Sequence, residues 1–182
     1  MCCSFVDLDG DVYTYRGDRR PYKGKTLIDD SKLVVAIRDE LERADLIVGW
    51  NSILHDQPLL NARLARAGER PVRLGEKFGT WHWDAMYHAG GQSMKIGGRR
   101  LETVSKFFHT DVSKTPLEGE TWQLAGAGDR AAMDQVVEHC EADVLVLRAL
   151  FPHLAPHVKK FTFSFSEVWP FIGEIPSRKV AA

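Results

Sequence analysis

The sequence predicts an α/β fold, a mixed sheet flanked by helices, and three observations carry that prediction. Short continuous apolar runs, Leu46-Ile47-Val48-Gly49-Trp50 and Thr80-Trp81-His82-Trp83, have the length and composition of buried strands. Between and after them lie stretches whose apolar residues recur every three or four positions, as helices packed on a sheet require. The N-terminal residues 2–16 read as two β-favouring segments around Asp9-Gly10.

In chain order, Cys3 and Phe5 on one side and Tyr13 on the other predict a hairpin closed by a tight primed turn at Asp9-Gly10. Residues 17–28, basic and rich in turn formers such as Gly17, Pro21 and Gly24, read as a loop. Asp29, Asp30 and Ser31 offer N-caps to a helix whose Leu33, Ile37, Leu41 and Ala44 share one face. After the Leu46–Trp50 strand, Pro58 suits a helix first turn, with Leu60, Leu64 and Ala67 behind it and Gly68 as its end. The Thr80–Trp83 strand precedes a Gly- and Arg-rich loop over 90–100 and a short helix carrying Leu101, Val104 and Phe108. The longest periodic element runs from Met133 to Phe151. Its stripe is Met133, Val137, Cys140, Val144, Leu147 and Phe151, and Pro152 is expected to close it.

Composition narrows the function classes. The chain has 182 residues, 44% of them apolar, enough for one domain with a substantial core and too apolar for a disordered chain. No apolar run approaches the roughly 20 residues of a membrane helix, and no basic-then-apolar leader is visible. Three cysteines with no CxxC pair make neither a disulfide framework nor a zinc site, so a cytoplasmic setting is expected. With 24 Lys+Arg against 25 Asp+Glu, the chain lacks the basic excess of non-specific duplex binders. Nucleic-acid contact therefore requires a local patch or bound cations.

Two segments carry candidate chemistry. On the long helix, His139 and Asp143 lie one turn apart at the margin of the apolar stripe, while Asp134, Glu138 and Glu141 face away. A carboxylate and an imidazole so placed suit a cation and a water, or else form a half-buried ion pair. The second segment runs from Val48 through Asn51 to Asp56, where a strand ends and a helix begins, the end of an α/β sheet at which ligands bind. Asp56 is either a ligand there or a cap of the Pro58 helix. Asp84, after an apolar run, either supports such a site or caps a helix.

Taken together and in order, Gly49-Trp50-Asn51, Asp56-Gln57-Pro58-Leu59-Leu60 through Arg63, Trp83-Asp84-Ala85-Met86, Leu101-Glu102-Thr103-Val104 and His139-Cys140-Glu141-Ala142-Asp143-Val144 resemble the DEDD-type 3′–5′ exonucleases. These are the DnaQ-like branch of the RNase H-like superfamily, and the similarity covers roughly residues 2 to 155. The resemblance implies an RNase H-like domain over 1–157, followed by an aromatic and basic tail over 158–182. It implies two Mg²⁺ or Mn²⁺ ions for phosphodiester hydrolysis at a DNA or RNA 3′ end. Asp56 and Asp143 would be the metal ligands and His139 the general base. Its spacing of four before the aspartate matches the tyrosine subtype, whereas the histidine subtype carries the residue one position further away.

One motif of that family, a D-x-E pair on the central strand, has no match here. Asp7-Leu8-Asp9 is the nearest, yet it falls at the hairpin turn. By that alignment the first, central strand is absent. Three readings stand: a start upstream of Met1, a separate chain supplying the strand with its carboxylates, or a catalytically degenerate module that binds nucleic acid or serves as a scaffold. Asn51 and the basic loop residues Lys95, Arg99 and Arg100 are the expected nucleic-acid contacts, the loop being otherwise ordinary solvated surface. In the tail, Phe161-Thr162-Phe163-Ser164-Phe165 alternates aromatic and polar residues, which suits either base stacking or packing of one face.

Overall fold

The structure is a computed structural model that describes residues 1–87, 89, 94–110 and 117–157. The tail over 158–182, and with it the Phe161–Phe165 alternation, lies outside the described residues. Elements follow in the order β1 (Cys2–Val6), β2 (Val12–Arg16), α1 (Ser31–Leu41), β3 (Leu46–Gly49), α2 (Asp56–Arg66), β4 (Trp81–Asp84), α3 (Ala85–Tyr87), α4 (Leu101–Phe107), α5 (Gly119–Gly126) and α6 (Arg130–Leu154). No helix among the described residues is long and apolar enough to cross a membrane.

The strands are mixed in direction and fall into two pairs. β1 and β2 run antiparallel with Cys2 opposite Arg16 and Val6 opposite Val12, while β3 and β4 run parallel with Leu46 beside Trp81 and Gly49 beside Asp84. Neither pair hydrogen-bonds to the other. The hairpin turn is longer than the sequence predicts. The Gly10 N–H donates to the Asp7 carbonyl, Gly10 sits at φ 99°, and the Asp7 carboxylate accepts from the N–H groups of both Gly10 and Asp11. This is a three-residue loop ending in a left-handed glycine, built around an Asp side chain rather than a two-residue primed turn.

α1 and α2 pack on each other and under the hairpin, where Leu33, Val34, Ile37, Leu60, Leu64 and Val72 form one core cluster with Cys3 and Phe5 against it. At the end of α2, Gly68 is left-handed; its N–H donates to the Ala65 carbonyl and that of Glu69 to the Leu64 carbonyl. The expected glycine stop thus works as a Schellman motif. A second cluster lies under the parallel pair: Trp83, Leu101, Val104, Val146, Leu150 and Leu154.

α6 connects the two halves. Asp129 caps it, its carboxylate accepting from the Ala132 N–H at 2.8 Å. The helix does not stop at Pro152 as expected but continues to Leu154. A proline removes one helical N–H there, and the burial of Leu154 and Ala155 offsets that loss. Its buried residues also differ from the predicted stripe. Val136, His139, Val146, Leu150 and Leu154 are buried, whereas Val137, Cys140, Val144 and Leu147 are only half-buried. The reason is a cleft: Cys140, Val144 and Leu147 line an open space between the two strand pairs. β3 is half-buried for the same reason, not covered on all sides as its apolar run suggests.

Candidate active-site cleft

β3 delivers the chain to one end of that cleft. Gly49 is followed closely by Ser52: a Cβ at Gly49 would stand 1.9 Å from Ser52 Oγ, so only glycine lets the chain fold back here. Asn51 takes a left-handed conformation at φ 60°, which Asn tolerates better than other residues bearing a side chain. The loop then closes on itself, the His55 N–H donating to the Asn51 carbonyl at 2.9 Å and that of Gln57 to the Ser52 carbonyl at 2.8 Å.

Asp84, at the end of the neighbouring β4, holds this loop. Its buried carboxylate accepts from the N–H groups of Asn51 (2.9 Å) and Ile53 (3.1 Å) and from the Met86 N–H of its own helix (3.2 Å). It is therefore both a cap and a support, acting through backbone groups. Beside it, Ser52 Oγ meets His82 Nε2 at 2.9 Å and His82 Nδ1 meets Gln57 Oε1 at 3.2 Å, which ties the loop to β4 a second time. Burial pushes the His82 imidazole below its ordinary value, only partly opposed by the Asp84 and Asp56 charges. Neither the Ser52–His82–Gln57 chain nor the backbone role of Asp84 was legible in the sequence; the one visible signal was an aspartate directly after an apolar run.

Asp56 opens α2 and lies in its first turn, where a negative charge is favoured by the helix dipole; the N-cap position is His55, whose side chain makes no cap hydrogen bond. It is 66% exposed, with His55 Nδ1 at 3.4 Å. Asp143 lies on α6 and is 31% exposed, with His139 Nε2 3.7 Å from its Oδ2. Asp56 and Asp143 both line the cleft, as does Asn51. The charge of Asp56 is felt inside the cleft: burial pushes the Cys3 thiol up to about 12, and Asp56 adds to that shift.

His139 is not among the lining residues. It is buried behind Asp143, with the Trp122 ring of α5 edge-on at 6.0 Å between centroids. The expected base thus sits back from the open space, beside Asp143, which lines it. Arg99 and Arg100 also line the cleft, the Arg99 carbonyl accepting from Trp50 Nε1 at 3.1 Å. Lys95 is exposed and lies outside the lining.

Two carboxylates are the hard oxygen ligands that Mg²⁺ or Mn²⁺ prefers, so the donor chemistry at Asp56 and Asp143 fits such an ion. The number does not complete a two-ion centre. Among the described residues there is no group of three or more His, Cys, Asp and Glu side chains able to hold a metal.

No curated protein and no solved structure matches the chain. A family does: residues 4–155, spanning β1 to the end of α6, match RNase_H_2 of the RNase H superfamily. With an α/β architecture, parallel strands ending at the cleft that Asp56 and Asp143 line, and a long helix crossing behind them, the chain belongs to the RNase H superfamily.

Proposed function

We propose that this chain is a DEDD-type 3′–5′ exonuclease-like domain, of the DnaQ-like branch, that contributes part of a metal-dependent site for nucleic-acid phosphodiester hydrolysis. One observation carries the reading. Asp56 and Asp143, from sequence-distant helices, face one cleft whose rim also holds Arg99 and Arg100. When bound, a pair of divalent ions supplies a hydroxide nucleophile and stabilises the leaving 3′ oxygen. The residues of this chain would hold part of that charge. Asp56 and Asp143 are the proposed ligands, His139 orients Asp143 from behind, and Arg99 and Arg100, with Asn51, receive the phosphate backbone of a DNA or RNA 3′ end. Because two carboxylates do not complete the centre, the reading assigns the remaining ligands to a strand bearing D-x-E from outside the described residues, either upstream of Met1 or on a separate chain.

The test is a Mn²⁺ titration followed by calorimetry. Wild-type protein is expected to bind weakly at a single site, and Asp56→Asn or Asp143→Asn to abolish that heat while leaving the circular dichroism spectrum unchanged. Equal binding by all three proteins would defeat the assignment.

A second reading has its own support. The short set of metal donors among the described residues favours a catalytically degenerate module that keeps the fold and binds nucleic acid through Arg99 and Arg100. Single-stranded DNA binding that persists in chelator, weakens in the Arg99→Ala/Arg100→Ala variant and ignores Asp56→Asn separates the two.

A further inference from the structure

The cleft that Asp56 and Asp143 line, about 700 Å³ in all, continues between the two strand pairs as a slot. It is lined by consecutive residues of both bordering strands, Met1 to Phe5 on one side and Ile47 to Trp50 on the other. Side chains of a strand alternate between faces, so an unbroken run of lining residues means that a strand's edge, not its face, borders the space.

The hydrogen-bond pattern identifies which backbone groups point there. In the hairpin, the Gly17 N–H donates to the Met1 carbonyl and the Asp7 N–H to the Asp11 carbonyl. With the register of β1 on β2, this assigns the odd residues of β1 to the ladder with β2 and turns the N–H and C=O of Cys2 and Ser4 to the opposite edge. In the parallel pair, the Trp81 N–H donates to the Asp45 carbonyl, so Ile47 and Gly49 bond to β4 and Val48 turns its backbone outward. None of these outward groups on Cys2, Ser4 or Val48 has a backbone partner among the described residues.

The walls are largely apolar. Ile37 and Leu60 contribute from α1 and α2, and Val144 and Leu147 from α6, where Asp143 is the one charged lining residue of that helix. The width suits one strand. On α6, Cys140 meets β1, its Sγ 3.9 Å from that of Cys2, while Leu147 packs with the cluster that includes Val48. Seven residues of helix span roughly 10 Å, and two strand spacings are about 9.5 Å.

We propose that this slot is a strand acceptor. It takes one extended, continuously apolar segment of a second chain, which hydrogen-bonds to β1 and β3 together and joins the two pairs into one five-stranded sheet. A strand buried on both faces reads as a run of Val, Ile and Leu, and the two unfilled edges supply the backbone partners that any such strand needs. The chain's own Phe161–Phe165 segment is a poorer match, because it alternates aromatic residues with Thr162 and Ser164 and so lacks the continuous apolar run of a strand buried on both faces. This inference concerns peptide binding and stands whether or not the nuclease reading holds.

The experiment adds a synthetic peptide, Val-Ile-Ile-Val-Leu between flanking lysines, to the full chain. Hydrogen exchange and melting temperature are read with and without it. The expected result is exchange slowed by tenfold or more at the amides of Cys2, Ser4 and Val48 together. Those of Cys3 and Ile47, already in ladders, serve as internal references. At saturating peptide the melting temperature is expected to rise by roughly 5–10 °C. A peptide with proline at alternate positions keeps the apolar surface but loses its donors, and is expected not to bind. Leu147→Lys, a half-buried position, is expected to abolish binding with an unchanged far-ultraviolet spectrum. Three outcomes overturn the proposal. These are slow exchange at Cys2, Ser4 and Val48 in the chain alone (a slot already filled by its own tail or a second copy), equal binding of the proline peptide, and protection confined to one of the two strands.

Discussion

The hairpin and the parallel pair are two ribbons of similar size, yet their polar groups do different work. In the hairpin they tie strands to helices. Ser4 Oγ meets Thr14 Oγ1 at 2.8 Å, which donates on to Glu141 of α6 at 2.7 Å. Tyr15 donates to Glu40 of α1 at 2.8 Å, and Arg16 pairs with Asp18 and with Asp134 of α6. In the parallel pair they converge instead at the ends of the strands, where Asp84 and His82 shape the loop that leads to Asp56. Both ribbons border the opening, but the hairpin's polar side chains fasten it to helices, whereas those of the parallel pair shape the loop at one end of the opening. The side on which strands run parallel and end together is the side that can carry chemistry.

The largest effects should follow from burial and separate the two cores from the slot between them. Leu33→Ala under the hairpin and Leu150→Ala under the parallel pair each remove a fully buried side chain, and each is expected to destabilise by roughly 2–5 kcal/mol in urea unfolding. Leu147→Ala, half-buried beside the slot, is expected to cost under about 1.5 kcal/mol, because the truncated side chain already borders open space. A Leu147 variant as costly as Leu150→Ala would mean that the slot is closed in solution.

Next in size is the anchor of the loop. Asp84→Ala leaves the N–H groups of Asn51, Ile53 and Met86 without their common acceptor in a buried place, an expected loss of about 3 kcal/mol. Asp84→Asn keeps one acceptor oxygen and is expected to lose about half of that. On the hairpin side, Glu141→Gln keeps an acceptor for Thr14 and is expected to lose less than 1 kcal/mol, an order-of-magnitude figure for a half-buried bond. If both aspartate variants unfold no more readily than Glu141→Gln, the two ribbons are not organised differently after all.

This contrast also explains what was legible in the sequence. Features set by local chemistry could be read. The left-handed Gly68 stop, the α2 start near Pro58, and the places of β3 and β4 follow from residue type and short-range periodicity. Features decided by distant neighbours could not. The α6 stripe over Cys140, Val144 and Leu147 is helical in period, but whether it is covered depends on what stands between β1 and β3. α5 carries Trp122 against His139 and left no periodic trace, because its eight residues bury only Ala125. At the site, the order of Asn51, Asp56 and Asp143 along the chain was readable. That Asp84 would hold Asn51 by its backbone, and that His139 would sit behind Asp143, depends on how strand ends and helices meet in space.

Acid should take the two ribbons apart in sequence, which gives the smallest effect and the finest test of the comparison. Burial lowers the His82 imidazole in the folded protein below its ordinary value near 6.5. Between the folded value and about 6.5 the unfolded chain therefore binds more protons than the folded one, and stability rises with pH. The His82 contribution is present above pH 6.5 and is lost as pH falls through the folded value. His153, lowered by burial alone, acts with the same sign. In the hairpin, Asp18 is also lowered, here by its hydrogen bonds from Arg16, but from a starting point near 3.9. Its contribution persists through the whole histidine range and disappears only as pH falls through its own folded value. Melting temperature measured from pH 8 to pH 3 is thus expected to fall by a few degrees below pH 6.5 and again below pH 4. His82→Gln should shrink the first step without removing it, since His153 remains, and should leave the second unchanged. Asp18→Asn should do the reverse. A first step that His82→Gln leaves at full size would place the proton-sensitive group elsewhere and free the Ser52–His82–Gln57 chain from any part in holding the loop.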